Sequence, residues 1–364
     1  MWRGYAVMVL APMLMIVLYA FIQQGNDVTT FKFTLENFTR FFSDKVYTDV
    51  LYRSLYVALV TTAVCLVIGY PAAYIIAMAK PKNKALLVLM ITFPTWINML
   101  VRTYAWLGIL QDDGIINSIL TFLGFGGVKM IYTDFAVILG MVYNFIPFMI
   151  LQIYASLDKM DKSYIEAASD LGANKVQCFI KVTLPMSLPG VISGITLVFL
   201  PAVSSFFIPK LLGGGQYVLI GNVIETQFLT AGDWGFGSAI SLIMAIIIMI
   251  SLYITRRLDT DPAQAKGGES IMKEKKKILS KIFMVLLMIF FYAPIIYIII
   301  FSFNGSRSLT HLDGFSLRWY EKMFNDKTMM ESVVYTIVIA VLSTAISTVV
   351  GTITSIGLSN QDRY

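Results

Sequence analysis

Long apolar runs alternate with short polar loops along nearly the whole chain. The runs cover about 5–23, 51–79, 85–110, 134–157, 187–209, 235–255, 281–301 and 332–358. A bilayer-crossing helix needs about 20 mostly apolar residues, so the pattern predicts eight spans and an all-α polytopic membrane protein. The first run follows Arg3 and reaches Ile22, and no small-residue cleavage site precedes Gln23. It reads as a retained span rather than a signal peptide. Every second loop is the Lys/Arg-rich one. Lys80, Lys82 and Lys84 follow the second run, and Lys159, Lys162, Lys175 and Lys181 follow the fourth. Arg256, Arg257, Lys266, Lys273, Lys275, Lys276, Lys277 and Lys281 follow the sixth. The positive-inside rule then predicts that both termini and these loops are cytoplasmic.

The loop between the fourth and fifth runs, 158–186, is patterned unlike the others. Tyr164 to Leu171 has a short helical pattern, and Gly172 supplies a natural stop because it enters the left-handed region without steric cost. A second short pattern, Asn174 to Val182, ends at Leu184-Pro185. Two short helices broken by a glycine predict an elbow projecting from the membrane domain. Ala167 and Ala168 would let another surface approach closely, beside the charge of Glu166.

Segment 259–280 breaks the apolar pattern. It holds Asp259, Asp261, Pro262, Gly267, Gly268 and a lysine run, the composition of a solvated linker. Beyond it the chain repeats itself. Ala293-Pro294 matches Ala11-Pro12, and Phe315-Ser316-Leu317 matches Phe33-Thr34-Leu35. Phe324, Asp326 and Lys327 match Phe42, Asp44 and Lys45, and Gly351 matches Gly69, all at a constant offset of 282. A gap-free offset over about 60 residues marks an internal repeat. The organisation predicted is a six-span unit over 1–258, a cytoplasmic linker over 259–280, and a two-span second unit over 281–364. That second unit stops before any counterpart of the elbow.

Composition narrows the function classes. The chain is 57% hydrophobic and 14% charged, with mean hydropathy +0.74, whereas soluble domains carry about 25% charged residues. The net charge of +6 belongs to cytoplasmic loops and does not signal nucleic-acid binding. Cys65 lies in an apolar run and Cys178 in the elbow, which argues against a disulfide. His311 stands alone in a polar loop. No metal-ligand cluster, nucleophile–base pair or phosphate-binding glycine loop is visible, so no catalytic residues, metal or cofactor are predicted. The chain would not hydrolyse ATP itself.

The elbow resembles the EAA motif of bacterial ABC importer permeases, through Glu166, Ala167, Ala168, Gly172, Val182, Leu184 and Pro185. The resemblance implies that this elbow is a coupling helix docking into a cytoplasmic ATPase subunit. The stretches Phe93–Leu110, Phe199–Gly215 and Ile220–Ser241 resemble the permeases of spermidine/putrescine (polyamine) importers, and the second unit resembles the partner permease of the same transporter. This implies a permease subunit of a polyamine importer in the bacterial inner membrane, working by alternating access. Two ATPase subunits, an extracytoplasmic polyamine-binding protein, and a partner permease or second copy of the chain complete it. Importers of the same architecture for iron, sulfate or opines share much of the pattern, and a secondary transporter is the rival from another class.

A path for a polycation calls for carboxylates and aromatic faces with affinity weak enough for release. The candidates are Trp96, Tyr104, Trp106, Asp112, Asp113, Tyr143, Asn144, Ser204, Ser205, Glu225, Asp233 and Trp234. Taken singly, the aromatics also suit the interfacial belt of any membrane protein. Arg102 is a charge inside an apolar run, a position costing about 2.5–3.5 kcal/mol on insertion scales. It is predicted to pair with a carboxylate such as Asp134 or to structure the outer gate.

Overall fold

The computed structural model describes residues 2–22, 32–161, 163–215, 217–258 and 274–359. Among them the regular structure is helical, with two isolated β-bridges. The chain divides into a large unit, residues 15–297, and a smaller one made of residues up to Leu14 with 298–364. Helix α1 (Trp2–Ala20) and helix α14 (Glu274–Ser302) each run across that division.

In the large unit, α2 (Glu36–Ser43) leads through the capping residue Asp44 into α3 (Lys45–Ala77). The next elements are α4 (Pro81–Thr92), α5 (Met99–Leu110), α6 (Ile115–Phe122) and α7 (Asp134–Lys159). Then come α8 (Ser163–Asp170), α9 (Lys175–Cys178), α10 (Leu184–Ser204), α11 (Phe207–Leu212), α12 (Ile220–Thr226) and α13 (Trp234–Leu258). The smaller unit adds α15 (Arg318–Asn325) and α16 (Lys327–Ser359).

Six of these segments are long and apolar enough to cross a membrane, and a seventh if the bent pair α4 and α5–α6 is one span. Helix α1 adds a further apolar helix. The core of the large unit is the trio α3, α7 and α10, with α7 the most enclosed. Their close approach depends on small residues, as helix contacts in lipid do. A Cβ on Gly190 of α10 would stand 2.5 Å from Ser156 Cβ and 2.6 Å from the Gln152 carbonyl of α7.

Three predicted elements take a different form. The third run is not one straight helix: it tightens into a 3-10 turn at Phe93–Trp96, and the two halves meet at 88°. Pro94 causes the break, because it has no N–H for the carbonyl four residues earlier and its ring crowds that carbonyl. The freed carbonyl, Met90 O, accepts instead from the Tyr292 hydroxyl at 3.0 Å. Asn98 caps the restart by accepting from the Leu100 amide at 2.8 Å.

The fifth run ends at Ser204 rather than continuing to 209. Ser205 is extended, and α11 begins beyond it. In an unbroken helix Pro209 would collide with the carbonyl of Ser205. Breaking there puts Pro209 in a first turn, where proline is tolerated.

The second short helix of the elbow does not stop at Leu184-Pro185. It continues through a π turn, Phe179–Thr183, into α10 as one segment from Lys175 to Ser204. The Leu184 amide reaches back to Phe179 O. That wider turn accommodates Pro185, whose ring would crowd the Lys181 carbonyl in a regular helix.

The predicted linker, 259–280, lies outside the described residues up to 273, and α14 begins within its remainder, at Glu274.

The offset of 282 recurs in the geometry. Bridge Ile22–Phe33 has its counterpart in Asn304–Phe315. Phe21 stacks on Phe33 with centroids 5.2 Å apart, and Phe303 on Phe315 at 5.3 Å. The Thr34 amide donates to Phe21 O, and the Ser316 amide to Phe303 O, both at 2.8 Å. Helices α2 and α3 are matched residue for residue in their bounds by α15 and α16.

Candidate functional site

The elbow is built from strong local signals. Gly172 sits at φ +85° and ends α8 in a Schellman arrangement: the Ala173 amide donates to Ala168 O and the Gly172 amide to Ser169 O, both at 3.0 Å. Asn174 opens α9 with a capping box, accepting from the Val176 and Gln177 amides while its own amide donates to the Gln177 side chain at 2.8 Å. Buried Cys178 bridges the two arms, near Ser169 Oγ at 3.6 Å and Ala173 O at 3.7 Å.

The elbow is tied to the body where α9 turns into α10. The Phe179 ring meets Tyr70 and Tyr74 of α3 edge-on, each at 5.8 Å. Lys84 and Asp158 pair at 2.5 Å.

The outer surface of the elbow is unusually apolar for a polar loop. Glu166 and Ala167 are exposed. Around them Leu171 is 89% exposed, and Tyr164, Val176 and Ile180 are exposed as well. Large exposed apolar patches occur at protein-contact and membrane-contact surfaces alike. Sequence reasoning singled out the glutamate and alanines and passed over these four. Their signal was a set of bulky apolar residues interrupting an otherwise polar loop. Of the remaining motif residues, Val182 is half-buried, while Leu184 and Pro185 start α10 and are exposed.

The candidate path residues separate into groups. Trp106, Tyr143 and Arg102 come together in a buried cluster. Trp106 meets Tyr143 edge-on at 5.6 Å, and Arg102 lies over the Tyr143 ring at 5.7 Å. Phe290 of α14 closes on both rings, and the Tyr143 hydroxyl donates to Phe291 O at 2.9 Å. Asn144 is buried beside them, its amide donating to Gly140 O at 2.8 Å.

The predicted ion pair of Arg102 with Asp134 does not form. Arg102 Nε donates to Ile97 O at 3.1 Å, at the break before α5. Asp134 instead pairs with Arg53 at 3.0 Å. The bent third segment turns Arg102 toward a carbonyl that the break leaves without a helical partner.

Trp96, Tyr104, Asp112, Asp113 and Trp234 are exposed. The other two carboxylates are engaged: Glu225 pairs with Lys210 and Asp233 with Arg40, both at 2.8 Å. Burial works against the charge of Arg40, but its hydrogen bonds to Asp233 and Tyr47 carry its pKa above the ordinary arginine value. Exposed Ser204 and buried Ser205 end α10, and their carbonyls lie close under Gly221, where a Cβ would stand 2.6 Å from Ser204 O.

Two residues that sequence reasoning passed over hold this junction. Asn222 donates to Phe206 O at 2.7 Å and accepts from the Leu219 amide at 3.1 Å. Ser54 of α3 accepts from the Ile220 amide at 2.8 Å. For Asn222, a polar residue beside Gly221 in an apolar stretch was the available signal. Among the described residues no group of three or more metal-ligating side chains occurs. His311 lies in the loop before α15, where its carbonyl accepts from Asn304 at 2.7 Å.

The helical body with its long apolar segments agrees with the comparisons. Residues 65–262 match the family described as binding-protein-dependent transport system inner membrane component. The chain belongs to this family. It is thus a multi-pass inner-membrane transport subunit, and hydrolysis of ATP is not its own task. The permease is 41% identical over 250 residues to the spermidine/putrescine transport system permease protein PotB of Escherichia coli (strain K12), covering 68% of this chain and 90% of that one. It is 38% identical over 252 residues to the protein of the same description from Haemophilus influenzae, covering 68% and 88%. The inner membrane ABC transporter permease protein YdcU of Escherichia coli (strain K12) is 30% identical over 254 residues, covering 66% and 80%. Among solved structures, a bacterial ABC transporter that imports the acidic polysaccharide alginate matches with a TM-score of 0.55 at 16% identity, covering 71% of this chain and 93% of that one. That likeness supports the fold.

Proposed function

We propose that this chain is a permease subunit of an ATP-driven importer for polyamines of the spermidine/putrescine class. The observation that carries the reading is the elbow. A motif with EAA spacing, stopped by a left-handed Gly172, presents Glu166, Ala167 and Leu171 outward, in a chain about two-fifths identical to spermidine/putrescine permeases. On this reading Glu166, Ala167, Ala168, Gly172, Val182, Leu184 and Pro185 form the ATPase-coupling segment, with both chain termini on the same, cytoplasmic, side. Two ATPase subunits would move the elbow, and an external polyamine-binding protein would deliver the substrate.

Residues 1–258 form one permease unit, 259–280 a linker, and 281–364 belong to a second unit that repeats it. The geometry recurring at an offset of 282 supports this division. For the path, the exposed set Trp96, Tyr104, Asp112, Asp113 and Trp234 suits a mobile polycation. Trp106, Tyr143, Asn144, Ser204, Ser205, Glu225 and Asp233 are the further candidates for the path.

The test is co-purification of the chain with its ATPase, followed by hydrolysis in liposomes with spermidine-loaded binding protein. Wild type should assemble and respond to spermidine, and Glu166→Lys should lose both. Assembly with a response to iron or sulfate but none to spermidine overturns the substrate. Failure of wild type to bind any ATPase overturns the coupling reading.

A further inference from the structure

The elbow is joined to the body by its own chain and by side chains. Its first arm follows α7, and its second runs without interruption into α10. Close to the elbow those two helices touch. The Ser156 hydroxyl donates to Met186 O at 3.4 Å, and Gly190 leaves no room for a Cβ against Gln152 and Ser156. A protein that displaced the elbow would pull on α7 and α10 through the backbone. Helix α3 has no such connection: Tyr70 and its contact Ser187 are 117 residues apart in sequence. Side chains have to reach it.

Those side chains form a clasp. Phe179 is the first residue of the π turn. Tyr70 and Tyr74 meet its ring edge-on, each with centroids 5.8 Å apart and planes at 87°. Residues four apart share one helix face, so the two tyrosines bracket a single ring. Edge-to-face packing is a preferred geometry of aromatic pairs, which attract beyond the area they bury. Tyr70 also reaches α10. Its oxygen lies 2.8 Å from Oγ of fully buried Ser187, which itself donates to Leu184 O at 2.9 Å. A serine has one hydroxyl hydrogen, so Tyr70 is the donor. Helix α3 is thus held to Phe179 where the π turn begins and to Ser187 beyond its end.

The π turn aims Phe179. It inserts one residue into the helix, and the Leu184 amide reaches five residues back to Phe179 O. One residue is about 100° of helix rotation, so a regular helix running into α10 would carry the ring to a different side of the axis. Helix α3 in turn leads on to α4. The Met78 amide donates to Tyr74 O at 3.0 Å, and α4 starts after a short turn at Pro81. Helix α4 ends in the break at Phe93–Trp96.

We infer that Phe179, gripped by Tyr70 and Tyr74, is the positioning residue that carries movement of the elbow into α3 and, behind it, α4. The inference rests on the permease reading. A displaced elbow moves α7 and α10 with or without the clasp. It moves α3, and the first half of the broken third segment, through the clasp. The other tie at this end, Lys84 with Asp158, is a partly exposed ion pair, and such pairs hold weakly.

The experiment uses the full chain, co-purified with its ATPase and placed in liposomes with spermidine-loaded binding protein. Spin labels at Lys80→Cys, between α3 and α4, and Lys175→Cys, on α9, report the separation of α3 and the elbow. Both sites are exposed, and the two native cysteines are buried. When a non-hydrolysable ATP analogue is added, the separation should stay constant in the wild-type background and change in Phe179→Ala. Spermidine taken up per ATP hydrolysed should fall about tenfold in Phe179→Ala, within the range for a residue in a coupling network. The ATPase should still co-purify, because Glu166, Ala167 and Leu171 are untouched. Phe179→Tyr keeps a ring in the clasp and should restore both readings. A purely structural residue would lower uptake and hydrolysis together and leave their ratio unchanged, and that result overturns the proposal. So does a constant separation in Phe179→Ala. Should Phe179→Ala not assemble, Tyr74→Leu leaves α9 and its caps intact and carries the same expectations. If wild type recruits no ATPase, the permease reading falls and this inference with it. If wild type transports and Phe179→Ala keeps its ratio, this inference falls alone.

Discussion

Arg102 donates from Nε to the carbonyl of Ile97 at 3.1 Å, so the one arginine of the third apolar run closes a gap in the backbone of its own segment. The gap exists because the run breaks between its halves, where Ile97 is extended. Replacing Arg102 by Met removes the donor and leaves that carbonyl unpaired. Loss of a hydrogen bond from a charged group costs about 1.5–3 kcal/mol, so the thermal midpoint in detergent should fall clearly below wild type. An unchanged midpoint for Arg102→Met would remove the arginine from this structural role.

Tyr292 and Pro94 act as a coupled pair. The Tyr292 hydroxyl supplies Met90 O with the donor that Pro94 cannot. Tyr292→Phe alone should destabilise by about 1 kcal/mol. In a Pro94→Ala background the alanine amide can serve Met90, and the penalty for Tyr292→Phe should shrink. A double-mutant cycle of unfolding midpoints measures this, and strict additivity would contradict it.

Gly172 should matter for coupling more than for folding. At φ +85° a β-branched residue is strained by about 1–2 kcal/mol. The elbow packs little of the core, so Gly172→Val should leave the body intact while lowering transport-coupled ATP hydrolysis. Leu171→Asp should do the same through the contact surface, because Leu171 is almost fully exposed. Equal losses of thermal stability and activity would mean that the elbow is structural.

Gly190 should be intolerant where Gly351 is tolerant. Gly190→Val drives atoms into Gln152 and Ser156 and should cost about 1–3 kcal/mol or more through overpacking. Gly351→Val meets nothing within 4 Å and should leave the isolated chain unaffected. Thermal melts of the two variants in the same detergent compare them directly.

The unpaired acidic turn offers the sharpest test of a cationic substrate. Asp112→Asn with Asp113→Asn removes two exposed carboxylates and should lower spermidine uptake several-fold without altering assembly. Lys210→Met frees Glu225 from its ion pair and should partly offset that loss. Uptake of labelled spermidine into vesicles reads both, and insensitivity to all three substitutions would take these carboxylates out of the path.

Much of this architecture was legible in the sequence because its signals are local. Hydrocarbon demands long apolar helices, so the runs announced the spans, and α7, α13, α14 and α16 follow them closely. The elbow's helix stop needed only Gly172, whose preference is set by its own backbone. The offset of 282 could be counted along the chain. Other features depended on neighbours distant in sequence. The third run reads as a single span in the sequence; that it bends by 88° at Pro94, with the hydroxyl completing the break supplied by Tyr292, is seen only in the fold. That Asp134 chooses Arg53 over Arg102 is decided by which way the bent segment turns. That Trp106 and Tyr143 are packed under Phe290, while Trp96 and Tyr104 remain exposed, is a matter of which helix lies on which face. Periodicity along one helix shows at most that it has two faces. Only the packed fold shows that Ala58, Thr62, Cys65 and Gly69 of α3 face α7 and α10, because a helix face acquires its meaning from what approaches it.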